Sequence, residues 1–460
     1  MIADNRTKVS FFDKAVLPWF VCGIGILFYC YNYFLRVSPS VMQNDLTQTF
    51  HITATQFGTL AGFYYFAYTA MQVPAGMIYD KFGARFVLFL ACLTAVVGLA
   101  IFIAADSFAV AGAGRFLIGI GTAFSYIGVL KLASIWLPPN RFATVAGITT
   151  AVGMACGALS QKYLSKVVEV IGYKHALHTA LLLGLALSVA ILFIIRSRPK
   201  QVFTKTNKAP VPLTLNQLMS AVRIIALNPQ MWLIGIVGCL LYLPASVFLD
   251  LWGIPYLKTV YMLTSQQAAT VSELTFLGWI ISGPVVGIIS DKIKRRRMPL
   301  IISGALAATL LCVIFYVPGI TVSELYVIFF AAGFSCGAHP LCFALSKENN
   351  PAQASGTAVA VTNMLIMAGG AIFQPVVGKL LDMHSSTIGA NGLPVYAASD
   401  YTFALSVIPL GVALGIIVSA FLKETHCESH ESVNERKAEE AVKETYSNVI
   451  PMTRKAGATL

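Results

Sequence analysis

Four polar residues line one face of the first apolar stretch of this chain. Tyr29, Asn32, Tyr33 and Arg36 fall at i, i+3, i+4 and i+7, the spacing of one helix face. A guanidinium among phenols and an amide can grip a carboxylate through its fork of donors. Asp250, in "VFLDLWGIPYL", stands near one end of another apolar stretch. Glu273 and His339, the latter in "CGAHPLC", are further titratable groups embedded in apolar sequence, and such groups mark substrate or proton pathways. Arg115, Thr122 and Tyr126 share a third face, and Tyr65, Tyr68 and Gln72 a fourth. Aromatic stripes at this spacing pack more often than they bind.

The elements that position these groups are read from composition. Hydrophobic residues make up 57% of the 460 and charged residues 11%, against roughly 25% charged in a soluble domain. Apolar runs recur near the roughly 20 residues that a helix needs to cross a bilayer. Twelve are read, at 16 to 39, 54 to 78, 85 to 105, 108 to 136, 143 to 167, 176 to 196, 230 to 257, 266 to 290, 298 to 318, 322 to 346, 354 to 381 and 402 to 422. The expectation is an all-α membrane protein; the short alternating strands of an outer-membrane barrel are absent.

A net charge of +12 would suggest a nucleic-acid partner in a soluble protein, but here it sorts by loop. With the N-terminus inside, most Lys and Arg fall on the cytoplasmic side, including "RSRPKQVFTKTNK" and "DKIKRRR", as orientation by basic loops requires. Lys162, Lys166 and Lys174 are the exceptions. No nucleic-acid partner is expected, and both termini should be cytoplasmic. The first run lacks a small-residue cleavage site and reads as a retained helix. Eight of nine cysteines lie in apolar runs and Cys427 lies in the tail, which fits small buried hydrophobes, and no disulfide is expected.

Placing an arginine in a bilayer costs on the order of 3 to 17 kcal/mol. Arg36 must therefore snorkel, face water inside the protein, or be paired. Asp250 lies at a similar depth in the seventh run, so the two could form an outer gate, a substrate clamp or a static ion pair. Glu273 and His339, with Asp250 and Arg115, are the candidates for proton coupling. His339 precedes Pro340, and a structural role is equally open to it.

The chain repeats its punctuation. "GMIYDKFGAR" (Gly76 to Arg85) follows the second run and "GIISDKIKRRR" (Gly287 to Arg297) the eighth, 211 residues later. Both place a glycine, three residues, then Asp-Lys: Gly76, Asp80, Lys81 and Gly287, Asp291, Lys292. The glycines would let helices approach closely, and the aspartates would accept bonds from basic groups or helix N-termini, forming a conformational latch.

Here the chain resembles the major facilitator superfamily. Gly76, Asp80, Lys81, Gly83 and Arg85 match that family's G-x-x-x-D-(R/K)-x-G-x-(R/K) motif. Arg115, Gly119 and Gly121 of "RFLIGIG" match its R-x-x-x-G-x-G pattern. The resemblance implies two six-helix bundles around a central cavity, working by alternating access. The expected division is a bundle at 1–196, a cytoplasmic loop at 197–229, a second bundle at 230–423 and a polar tail at 424–460.

No phosphate-cradling G-x-x-x-x-G-K-[ST] loop is present, so a gradient must supply the energy. The fifth run reads "GMACGALSQ", without the proline of the drug antiporters' G-x-x-x-G-P-x-x-G-G. Arg36 is similar to the first-helix arginine of organophosphate and hexuronate permeases, yet the seventh run offers Leu243, Pro244, Ala245 and Ser246 instead of a second base. Cation facing anion suits a zwitterion, so proton-linked import of an amino acid or small peptide is expected. "YNYFLRVSPSVM" and "FLDLWGIPYL" are also similar to the phagosomal-transporter group of intracellular gammaproteobacteria, which import amino acids or nucleosides. A permease for small organic anions or nucleosides, a siderophore or metabolite exporter, and a transporter-like ligand sensor are the alternatives. No enzyme, cofactor or metal site is expected; "HCESHE" (His426 to Glu431) is read as solvated. The bacterial inner membrane and a monomer complete the expectation.

Overall fold

The computed structural model describes residues 16–138, 141–196, 215–351, 354–389 and 392–428. Residues 197–208 of the basic central segment, His430, Glu431 and a polar stretch at 432–447 read as a possible helix lie outside them.

Helices form where apolar runs meet good start signals. Capping boxes open three of them, with Thr53 and Gln56, Thr264 and Gln267, and Thr321 and Glu324 exchanging bonds at the first turn. The spans are Leu17–Val41, Ala54–Phe82, Ala84–Ile103, Phe108–Trp136, Phe142–Ile171, Tyr173–Ile194, Pro229–Val260, Ser265–Ile293, Arg297–Tyr316, Val322–Glu348, Ser355–His384 and Ala398–Ser419. They are called spans 1 to 12 below. Ten helices among the described residues are long and apolar enough to cross a membrane. Spans 2 and 5 are as long but not among the ten; span 2 is rich in Gly, Thr, Gln and Tyr.

Several expected boundaries shift. The segment read as an unbroken polar interruption contains a helix at Leu215–Leu227, and a short helix, Gln43–Phe50, follows span 1. Two short strands, Thr387–Ile388 and Pro394–Val395, pair antiparallel between spans 11 and 12. Span 2 passes to span 3 through Gly83 alone, at φ 80°; glycine adopts that conformation without steric cost, which is the physical reason for this motif position.

Four spans change helical register inside the membrane, among them span 12, which breaks at Ser406 between Ala398–Leu405 and Val407–Ser419. Span 4 breaks at Ala123, between Phe108–Thr122 and Phe124–Trp136. Its repeat counterpart, span 10, breaks into a 3-10 turn at Cys336–Ala338 and resumes at Leu341. Span 7 is π-helical over Pro244–Trp252. Such irregular backbone within a bilayer is tolerated where it lines a protein interior or cavity.

Spans 1 to 6 and 7 to 12 form two bundles that touch through spans 2 and 11, 5 and 8, and 1 and 7. The seam is tightly packed at one end. A Cβ on Gly58 or Gly378 would overlap the carbonyl of Gln374 or Ala54 across it. Toward the other end, where the Asp80 and Asp291 turns lie, a Cβ on Gly76, Gly147, Gly283, Gly287 or Gly356 would meet nothing within 4 Å. The expected close approach at Gly76 and Gly287 is thus corrected: the helix ends that carry them stand clear of their neighbours here.

Replacing Gly58 with leucine should wedge spans 2 and 11 apart. Electron–electron resonance between labels at the exposed Gln56 and Lys379 should show a distance longer by several ångströms. Gly76→Leu, at the open end, should leave that distance unchanged. An unchanged distance in Gly58→Leu would contradict the packing described.

Candidate functional site

Span 1 delivers Arg36 to the seam and the π-helical part of span 7 delivers Asp250. Arg36 Nε lies 3.1 Å from Asp250 Oδ2, with side chains only 4% and 0% exposed. Arg36 Nη2 donates to the Tyr242 hydroxyl at 3.2 Å, and the Tyr65 hydroxyl donates to Asp250 Oδ2. The guanidinium also stands 4.3 Å above the Tyr33 ring, a cation–π contact. Two orphaned atoms remain: Nε, despite its closeness, lacks hydrogen-bond geometry, and Asp250 Oδ1 has no partner. The pair is therefore held by charge more than by directed bonds.

The π register explains how Asp250 is held. A wider turn frees carbonyls from the helical ladder, and two are taken by glutamines: Gln374 Nε2 donates to the Ser246 carbonyl at 2.7 Å and Gln161 Nε2 to the Leu249 carbonyl at 2.6 Å. Gln161 comes from span 5, so this second bond also crosses the seam.

Behind Arg36 the first bundle is tied by polar bonds. Asn32 donates to Ser125 Oγ at 3.1 Å and accepts from the Tyr64 hydroxyl at 2.5 Å. Arg115 donates to the Leu35 carbonyl at 2.8 Å, its guanidinium 5.2 Å from the Tyr64 ring. Tyr29 meets Tyr33 edge-on at 5.2 Å and Tyr126 at 5.3 Å, and Tyr68 stacks on Tyr64 at 5.8 Å. Of the sequence-predicted group, the structure brings Arg36, Tyr33, Tyr65 and Asp250 together. It places Asn32, Tyr29, Tyr68, Tyr126 and Arg115 in the supporting packing.

Glu273 belongs elsewhere along the seam. It receives Lys162 Nζ at 2.6 Å, with both side chains about a third exposed. That pairing accounts for a lysine that fitted the loop charge pattern poorly. His339 stacks on Tyr242 at 4.7 Å, and neither ring nitrogen has a partner.

The repeated aspartates bond within their own bundles. Asp80 receives Lys131 Nζ at 2.5 Å and Arg85 Nε donates to the Leu192 carbonyl. Lys81 lies 5.2 Å from the Phe82 ring, and Lys292 is exposed. Asp291 receives Arg296 Nη1 at 2.6 Å, and Glu348 receives Nη2 at 2.8 Å. Burial pulls the Arg296 guanidinium down, but the bonds to Glu348 and Asp291 outweigh it and hold its pKa above the ordinary value.

Sequence reasoning missed Tyr242, Gln161, Gln374 and Asp382. Asp382, at the closed end of span 11, accepts from the backbone N–H of Ala54 and Thr55 at 3.1 and 2.9 Å. It also accepts from the Thr55 and Tyr396 hydroxyls. One bundle thus caps the first turn of a helix in the other.

Comparison with known proteins places this geometry. The family model for the Major Facilitator Superfamily matches residues 22–374. A probable sulfoacetate transporter of Cupriavidus necator is 23% identical over 282 residues, covering 60% of this chain and 65% of that one; the match thus spans just under two thirds of that relative. A probable galactarate/D-glucarate transporter of Escherichia coli is 22% identical over 391 residues, covering 77% and 86%. Among solved structures, an inward-facing, unoccupied bacterial homologue of the human lysosomal transporter Spinster superposes with a TM-score of 0.67 at 16% identity. The superposition covers 89% of this chain and 96% of that one.

Removing the interbundle cap should loosen the closed end. A helix cap contributes about 1 kcal/mol, so Asp382→Ala should raise the open fraction there roughly fivefold. Alkylation of a cysteine placed at the buried Ser40, with native cysteines replaced, should accelerate accordingly. An unchanged rate would show that the cap does not hold the end shut.

Proposed function

We propose that the chain, which belongs to the major facilitator superfamily, imports a small carboxylate together with a proton by alternating access across a bacterial inner membrane. The observation that carries this reading is the buried Arg36–Asp250 contact between the bundles, in which each charge satisfies the other and Asp250 Oδ1 remains free.

Charge balance dictates the order of events. A carboxylate approaching Arg36 would meet the Asp250 anion beside it, and like charges in a dry site repel strongly. A proton on Asp250 removes that repulsion and leaves one full positive charge for the substrate. Breaking a buried pair without replacement costs about 3 to 5 kcal/mol; protonation and carboxylate binding together replace both partners. The site is then neutral either as an ion pair or with proton and substrate aboard, and a carrier loaded with only one of them bears an uncompensated charge. Tyr65 can follow Asp250 through its protonation, since a hydroxyl both donates and accepts. Glu273 is a poorer choice for the coupling proton because Lys162 occupies it.

Loop charge orients the protein. The Asp80 and Asp291 turns face the cytoplasm, so the conformation is shut to the outside and open inward. Outside closure rests on the Asp382 cap and the Lys162–Glu273 pair; Gly76, Asp80, Lys81, Gly83, Arg85, Gly287, Asp291 and Lys292 form the latch that closes the inner end in the opposite state. The bundles 1–196 and 230–423 rock as units, joined by 197–229, and one chain contains the whole site, as a monomer requires.

The names of the relatives, transporters of sulfoacetate and of galactarate and D-glucarate, support an anionic substrate. A second reading, import of an amino acid or small peptide, is favoured by the free Asp250 Oδ1. There the substrate's ammonium takes the place of the proton.

Uptake into proteoliposomes under an inward proton gradient separates the cases. Labelled lactate and glycerate, monocarboxylates that match the single freed guanidinium, should accumulate, and Arg36→Lys should lower uptake at least tenfold because an ammonium lacks the planar fork. Asp250→Asn, which mimics the protonated acid, should abolish gradient-driven accumulation yet keep exchange of internal for external substrate. Accumulation by Asp250→Asn would overturn the coupling, and accumulation of amino acids alone would establish the second reading.

A further inference from the structure

We infer that His339 and Trp279 form a second subsite, beside Arg36 on the second bundle, that binds an uncharged donor–acceptor group of the substrate, a hydroxyl being the smallest. This rests on the carboxylate being held at Arg36.

His339 sits where span 10 is broken, directly after the 3-10 turn at Cys336–Ala338 and before Pro340. Its ring stacks on Tyr242 at 4.7 Å and 29°, and Tyr242 is the residue whose hydroxyl takes the Arg36 bond. Trp279 of span 8 stands edge-on to both, 5.7 Å from Tyr242 and 6.0 Å from His339, and Phe343 closes another side at 5.7 Å. His339 is 7% exposed and Trp279 2%. Even so, His339 Nδ1, His339 Nε2 and Trp279 Nε1 are all buried without a hydrogen-bond partner.

The neighbouring hydroxyls do not serve them. Ser282 and Ser335 donate to carbonyls of their own helices at 3.1 and 2.7 Å. Buried polar atoms are rarely left unpaired, and each one calls for an explanation. Here three of them lie on two rings whose centroids are 6.0 Å apart, packed with Tyr242 between the broken span 10 and the start of the π segment of span 7, and discontinuous helices are where carriers build ligand sites.

The inventory of the three atoms selects the ligand. A neutral imidazole offers one donor and one acceptor and an indole one donor, giving two donors and one acceptor. A hydroxyl offers one donor and two lone pairs, the complement of that set. The ring cluster has no charge of its own apart from Arg36 beyond Tyr242, so a second ionic group would lack a counter-charge. The site therefore reads the substrate's carboxylate at Arg36 and a nearby hydroxyl at His339 and Trp279.

Competition binding to the purified full-length protein tests this with three pairs that differ by one hydroxyl: propanoate and lactate, succinate and malate, alanine and serine. In whichever pair binds, the hydroxylated member should be at least tenfold tighter, and His339→Phe and Trp279→Phe should each bring the ratio toward one. His339→Phe should also raise the melting temperature without ligand, because it removes two unpaired buried atoms. A wild-type ratio near one, or a ratio retained in both variants, overturns the subsite while leaving the carboxylate reading intact. A lower melting temperature with the ratio unchanged shows that the atoms serve only an internal water, which overturns it likewise. If none of the six acids binds, the carboxylate at Arg36 fails and the subsite fails with it.

Discussion

A guanidinium and a carboxylate cannot stay charged in a dry bundle unless something balances each of them. In this protein they balance one another from opposite halves, through Arg36 Nε and Asp250 Oδ2 at 3.1 Å. Much of the interior follows from holding that contact. Tyr242 and Tyr65 solvate the two ions, Tyr33 lies beneath the cation, and the π turn of span 7 places Asp250 while Gln161 and Gln374 take the carbonyls it frees.

Under the proposed alternating access, the same contact sets what a second conformation must replace. An ion pair between bundles stabilises the state in which its members meet, so the opposite state needs substitutes for both. At the closed end the substitution problem concerns backbone groups: the first turn of span 2 has N–H groups without helical partners, and Asp382 supplies them from span 11. When that end opens, water takes over those N–H groups at little cost, whereas Arg36 and Asp250 lie too deep for the same remedy. Proton and carboxylate are the remedy proposed for them. In the proposed cycle, closure is shared between an inexpensive cap at the rim and an expensive pair at the centre, and only the centre couples movement to cargo.

How much of this was legible in the sequence depends on whether the cause is local. Helical spacing put Tyr33 and Arg36 on one face, and the six-plus-six repeat set Asp250 opposite, because periodicity and hydropathy follow from the chain alone. Tyr242 was not legible: eight residues before Asp250, its relation to that carboxylate depends on a π register that α spacing does not foresee. Asp382 lay just past the expected end of span 11 at 381, and its partners at Ala54 and Thr55 are more than 300 residues away. Lys162 looked out of place among outer loops until Glu273 appeared across the seam. Gly76 and Gly287 were read as points of close helix approach. In this conformation they face open space, since a single state shows only the contacts of the end that is shut.

The central claim is that a carboxylate reaches Arg36 only when a proton reaches Asp250. Proton uptake by the purified protein on substrate binding, followed with a pH indicator in weakly buffered detergent solution near neutral pH, tests it most directly. The account predicts about one proton taken up per carboxylate bound in the natural protein and none in Asp250→Asn, which still binds. Carboxylate binding without proton uptake, or equal uptake in both proteins, would contradict it.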